Sequence, residues 1–168
     1  MIIVYSIANR ELSQVTAAAV QNAVNAAGLQ NKLLFNRQQT EVLADIVYDL
    51  HKAHAYKNGG RLLFTTQKGT TRVPTEIILL HESRQKALHG TLIPFGKYSS
   101  AHPDGTYTVP PLWYLENLYV EQPAGYAWYK IDNVKEIYHD QLKNYTTKIG
   151  NKSVPITNSA SRSPFYAE

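Results

Sequence analysis

The stretch "VPTEIILLHESRQKALHGT", Val73–Thr91, decides the fold. Pro74 suits the first turn of a helix, because its missing N–H would have no partner there. Glu76 favours the positive helix start, and Gly90 suits the end, where a left-handed residue closes the last turn. These signals predict a helix over 75–89 with Ile77, Leu80 and Leu88 facing the core. Taken alone, "EIILL" also fits a strand.

The same kind of reading extends towards the N-terminus. "IIVYSI", residues 2–7, is a short apolar run suited to a buried strand. Asn9 caps a helix over 10–27, whose stripe is Leu12, Val15, Ala19, Ala23 and Ala26, with Gly28 as its left-handed stop. "KLLF", 32–35, is a second short strand. A helix over 38–56 follows, with Val42, Ile46, Leu50 and Ala53 as its stripe and "KNGG" as its stop. "RLLFTT" reads as a strand, "QKG" as a turn and "TTRV" as a return strand.

Beyond residue 91 the texture changes to short strands and loops broken by Pro and Gly. "HPDGTY" is a turn in which Pro presets φ and Gly accepts a positive φ. "YAWYKI", 126–131, is a strand. Asp132 then caps a helix carrying Val134, Ile137, Tyr138 and Leu142. The sum is an α+β single domain over 1–145, with a mixed or antiparallel sheet, about three to four helices and a loop-rich, Tyr-rich second half. Residues 146–168 are polar and without period. They read as an extended C-terminal arm, which is ordered only if its own body or a partner holds it.

Composition narrows the function classes. Hydrophobic residues make up 43% and charged residues 18%, the balance of a globular rather than a disordered chain. No apolar run reaches about 18 residues, so no membrane span is expected. "MIIVYSIANR" lacks a basic n-region and a long h-region, so it does not read as a signal peptide. With no cysteines, disulfides, thiolate metal sites and cysteine nucleophiles are absent. A cytoplasmic or virion location follows as the expectation. There is no GxGxxG, GxxxxGK[ST] or GxSxG, so dinucleotide, P-loop and α/β-hydrolase readings lose their usual support.

Charge is segregated. Residues 57–100 carry seven basic and two acidic groups, and residues 101–142 carry two basic and six acidic. Such blocks steer a partner or another copy of the chain. Twelve residues are Tyr, most of them after position 98. Tyr combines contact area with low rotamer entropy and a hydroxyl that tolerates water. Tyr107, Trp113, Tyr114, Tyr119, Tyr126, Trp128, Phe165 and Tyr166 are therefore the interface candidates. Lys57, Arg61, Lys68 and Arg72 flank the expected hairpin and are the candidates for phosphate contact, within a basic 57–97 segment.

His81 and Glu82 carry the sharpest chemical pattern. With its apolar lead-in, "HESRQ" resembles the zincin helix of zinc metallopeptidases, in which His-Glu-x-x-His places two ligands on one helix face. Gln85 stands where the second His belongs. His89 lies eight residues on, about 12 Å along a helix, too far for one zinc. His81, Glu82 and His89 thus define an alternative hydrolase reading, and no metal or cofactor is expected. "HGT", 89–91, also occurs as a nicotinamide-site tripeptide of ADP-ribosyltransferases, but three common residues carry little information. "HKAH" sets His51 and His54 near a helix C-terminus, where two exposed His are favoured by the negative end.

With no complete catalytic constellation, the leading expectation is a non-enzymatic structural protein that assembles with copies of itself or neighbouring subunits. A phage neck or tail component, contacting its neighbours through 91–131 and the C-terminal arm, combines these features. A nucleic-acid-binding module using 57–97 is the other non-enzymatic expectation.

Overall fold

The structure is a computed structural model that describes residues 1–7, 17–26, 28, 40–66, 70, 72–93, 107–111, 127–159 and 164–168. The Asn9 cap, the "KLLF" strand and the "HPDGTY" turn lie outside the described residues.

Four readings convert into elements. β1 (Ile2–Ile7) is buried along nearly its whole length. A strand covered on both faces runs apolar without alternation, which is why "IIVYSI" has no period of two. α1 (Ala17–Ala26) ends before Gly28, whose φ is +75°. α2 (Thr40–Lys57) buries Ile46, Val47 and Leu50 and stops at Gly59 and Gly60, both at positive φ. β2 (Leu62–Thr66) follows.

Then the deciding stretch departs from expectation. Glu76–His81 is a strand, β3, and Lys86–Leu92 is another, β4. They pair antiparallel, Ile78 opposite His89 and Leu79 opposite Leu88. No helix forms over 75–89. β3 lies between β1, with which it runs parallel, and β4, and both sheet faces are covered there, so all of Ile77, Ile78, Leu79 and Leu80 are core. Pro74 precedes a strand, and Thr75 N–H bonds Met1 O.

The helix expected after Asp132 is also replaced. β5 (Ala127–Tyr138) runs on for twelve residues, and only the single turn α3 (His139–Leu142) follows. The misleading spacing has two sources. Between His89 and Thr91 the β4–β5 register shifts by one residue, and Asn133 sits in the left-handed region at φ 53°. This bulge places Ile131 and Val134, three apart, in the same core cluster. Ile137, three further on, is buried against the opposite face.

The α+β expectation with about three to four helices is therefore corrected. The molecule is mostly sheet, built on six strands in the order β2-β5-β4-β3-β1-β8, where β8 is Phe165–Ala167. Among the described residues only α1 and α2 are longer than one turn. Arg72 and Val73 form no return strand.

The sheet curls. Tyr5 on β1 and Phe64 on β2 are four strand positions apart, about 19 Å in a flat sheet. Their rings lie 5.4 Å apart. The concave face encloses the larger core, with Tyr5, Tyr48, Leu50, Phe64 and Tyr129 among its members. The convex face is covered by the chain's own end. There Thr146–Ile149 (β6) and Lys152–Pro155 (β7) form a hairpin, and the 3-10 turn Ile156–Asn158 buries Ile156. The last strand, β8, pairs antiparallel with β1, and Glu168 exchanges both backbone bonds with Thr146. What holds the described parts of the polar 146–168 segment is thus the body of the same chain.

No helix of the described residues is long and apolar enough to cross a membrane.

Candidate functional site

The hairpin separates the residues of the alternative hydrolase reading. His81 ends β3 on the concave face, and its Nδ1 accepts from the backbone N–H of Ser83 at 3.0 Å and lies 2.7 Å from the Ser83 hydroxyl. The ring packs edge-on against Tyr48. Glu82 and Gln85 are exposed in the turn. His89 pairs with Ile78, one residue out of phase with Leu79 and His81, so it faces the convex side. There its Nε2 lies 2.9 Å from Glu76 Oε1 and its ring packs on Tyr145. His81 and His89 cannot share a ligand through the sheet. Among the described residues no three His, Asp or Glu side chains are grouped to hold a metal ion.

The two His of α2 are not the exposed pair their position suggested. His51 is buried, with Nδ1 donating to Val47 O at 2.8 Å and its ring on Phe64. Burial pushes its pKa down to about 4, against the small upward pull of the Val47 bond. His54 is half-buried, and its Nε2 lies 3.0 Å from Thr108 O. Burial lowers its pKa as well.

Of the interface candidates, Trp113, Tyr114, Tyr119 and Tyr126 lie outside the described residues, as does Lys68 among the phosphate candidates. Trp128 is a core residue and cannot face a neighbour in the folded chain. Tyr166 is half-buried against the larger core, bonded to Thr70 Oγ1 and covered by the guanidinium of Arg72 at 4.6 Å. Phe165 packs on the convex-side cluster. Tyr107 is half-buried, with Arg61 and Lys130 each 5.8 Å from its ring centre. Lys57 is exposed at the end of α2.

A different constellation is brought together over Glu136. α2 presents Tyr48, Lys52 and Tyr56 at intervals of four, one stripe of a helix. β5 presents Glu136 and Tyr138 on the same face, and β4 adds Lys86, the register partner of Tyr138. Glu136 Oε2 accepts from the Tyr48 hydroxyl at 2.9 Å. Its Oε1 accepts from Lys52 Nζ at 2.8 Å and from the Tyr138 hydroxyl at 2.6 Å. The Glu136 backbone N–H donates to the Tyr56 hydroxyl at 3.0 Å. Lys86 Nζ stands 5.0 Å from the Tyr48 ring centre.

The electrostatics follow from these contacts. Burial pushes the Glu136 pKa up, yet the bonds from Lys52, Tyr138 and Tyr48 outweigh it and hold the carboxyl below its ordinary value. The bond to Glu136 raises Lys52. Burial, then the bond to the carboxylate, raises Tyr48. The carboxylate bond raises Tyr138. Every shift deepens the charge state already present at neutral pH, the reverse of what proton transfer needs. The side chain of Glu136 is only 6% exposed, whereas Tyr56 and Tyr138 are 50% and 57% exposed. A fixed carboxylate holding three side-chain hydrogen bonds is thus rimmed by two open aromatic rings.

Sequence reasoning missed this patch. The four-residue spacing of Tyr48, Lys52 and Tyr56 was available on α2, but Glu136 and Tyr138 were assigned to a helix that would have splayed them apart.

The architecture that carries the patch is a curled, mixed six-stranded sheet with α2 packed on its concave face. No protein family, curated protein or solved structure matches the chain.

Proposed function

We propose that the protein is a non-enzymatic assembly component that joins copies of itself or neighbouring subunits through the aromatic face around Glu136 and the Tyr-rich 91–131 segment. The observation that carries this reading is the exposure of Tyr56 and Tyr138 beside an ionised carboxylate whose bonds are all internal. Two rigid, amphipathic rings on a pinned base give contact area at little entropic cost. A phage neck or tail is one assembly in which such a subunit serves, and it would then reside in the cytoplasm before assembly and in the virion after it.

Light scattering coupled to size exclusion tests the reading. The mass should rise above 18.9 kDa as protein concentration rises from about 1 μM to several hundred. Tyr56→Ala with Tyr138→Ala should return it to the monomer value. A strict monomer throughout that range overturns self-assembly. Unchanged association in the double variant overturns the assignment of this face.

A further inference from the structure

A second surface is independent of the Glu136 face. It lies where the end of α2, the start of β2 and the middle of β5 meet the segment Tyr107–Val109. Leu63 N–H donates to Thr108 O at 3.0 Å, so this segment runs along the outer edge of β2. His54 reaches the same residue from α2, 3.0 Å from its carbonyl oxygen and 2.8 Å from its hydroxyl. Lys57 is close enough to His54 for its charge to lower the His54 pKa, a smaller effect than burial. These bonds hold the segment at Thr108, and Tyr107 next to it lies beside two cations. The guanidinium of Arg61 and the ammonium of Lys130 each lie 5.8 Å from its ring centre, so they are no more than about 12 Å apart.

We infer that Arg61 and Lys130, gathered around Tyr107, together with Lys57 beside His54 at the end of α2, bind the phosphate backbone of a nucleic-acid strand. Consecutive phosphates of one strand rise about 3.4 Å each, so the gathered cations match a few neighbouring phosphates. Among the described residues, Asp132 is an acidic residue in contact with the group. It meets Arg61 through Nε at 3.7 Å, an ion-pair distance that leaves the terminal fork uncommitted to it. The surface also opens the most basic block of the sequence, residues 57–100. Holding Arg61 and Lys130 against an aromatic ring reduces the side-chain freedom lost when a phosphate arrives.

Fluorescence anisotropy with labelled single-stranded RNA and DNA oligonucleotides of one sequence tests the inference. Wild type should bind at least one of them, with affinity falling as salt rises. Arg61→Ala with Lys130→Ala should weaken that binding about tenfold or more at low salt and reduce the slope of log K against log salt by about 2. Lys148→Ala with Lys152→Ala removes the same charge from the exposed β6–β7 hairpin and should leave affinity within about twofold. Arg61→Lys should retain most of the binding, which separates lost charge from lost fold. No binding of either oligonucleotide by wild type overturns the inference. So does equal weakening by the two double variants, which would mark nonspecific charge. Equally tight binding of a poly-glutamate peptide overturns the nucleic-acid assignment in favour of an acidic protein partner.

Discussion

His51 stands where a proton is unwelcome. Its ring is enclosed by α2 and Phe64, and burial holds its pKa at about 4, well below the ordinary value of about 6.5. Between those two values the unfolded chain binds the proton and the folded chain does not. Stability therefore falls as pH drops from about 6.5 to about 4, and His51 adds no further loss below that. The full effect is on the order of 3 kcal/mol. His54, also lowered by burial, acts in the same direction. Glu136 differs in its window: a carboxyl held low gives stability that is present above its unfolded pKa and lost as pH falls through the folded one. Urea midpoints of wild type and His51→Leu at pH 7, 5.5 and 4.5 should show a steep wild-type decline and a flatter variant one. Parallel declines would remove His51 as the cause. The bonds on Glu136 call for a cycle of their own. Tyr48→Phe should cost about 1.5–3 kcal/mol, the range for a hydrogen bond to a charged group. Tyr48→Phe with Glu136→Ala should cost less than the two single changes added together, because both remove the same bond. Strict additivity in urea melts would show that the pair is not coupled.

At the scale of elements, the junction of β4 and β5 controls the curl. Gly90 sits opposite the bulge, and a Cβ built there would lie 2.4 Å from Ile131 Cγ2 and 2.9 Å from Asp132 O. The second neighbour is backbone and cannot swing aside. Gly90→Ala should therefore cost about 2–3 kcal/mol, as overpacking at a tight site does, and thermal melts will read it; a loss under about 0.5 kcal/mol would mean the strands can separate freely here. The same glycine explains part of the misreading of Val73–Thr91. Gly90 looked like a helix stop, whereas its reason for being there is the close approach of β5. β1, α2 and β2 were legible because each has one dominant pattern and a clear stop, Gly59 and Gly60 ending α2. β3 was not, because a strand buried on both faces shows four apolar residues in a row, which a helix core also shows. The second half of β5 was not, because the bulge at Asn133 replaces a spacing of two by a spacing of three. The candidate site inherited that error. Its α2 half could be read from the spacing of Tyr48, Lys52 and Tyr56, and its β5 half could not.

For the whole molecule, the exposed backbone of the sheet is a liability that several devices share. An uncovered strand edge invites another chain to pair with it. β2 is covered by Thr108. Beyond β2, β5 overhangs, and three alternate N–H groups are each taken differently: Val134 by Gly60 O, Glu136 by the Tyr56 hydroxyl and Tyr138 by Gln141 Oε1. At the far side, among the described residues, β8 alone covers β1, pairing Ala167, Tyr166 and Phe165 with Ile2, Ile3 and Val4. That last cover is the most easily removed. Deleting residues 165–168 strips the outer edge of β1, opens Thr146 and uncovers part of both core clusters. The lost burial of Phe165, Tyr166 and Ala167 should cost roughly 2–4 kcal/mol, read as a lower urea midpoint. The freed edge should also make the truncated chain associate. This association differs from assembly through the Glu136 face, because Tyr56→Ala with Tyr138→Ala should leave it intact, whereas a Lys introduced by Ile3→Lys would unfold the core rather than test the edge. The informative comparison is therefore the truncated chain with and without the two tyrosine changes, measured by light scattering at matched concentrations. If the truncated chain carrying both tyrosine changes is monomeric, β1 does not depend on β8 for protection and any association of the truncated chain ran through the Glu136 face.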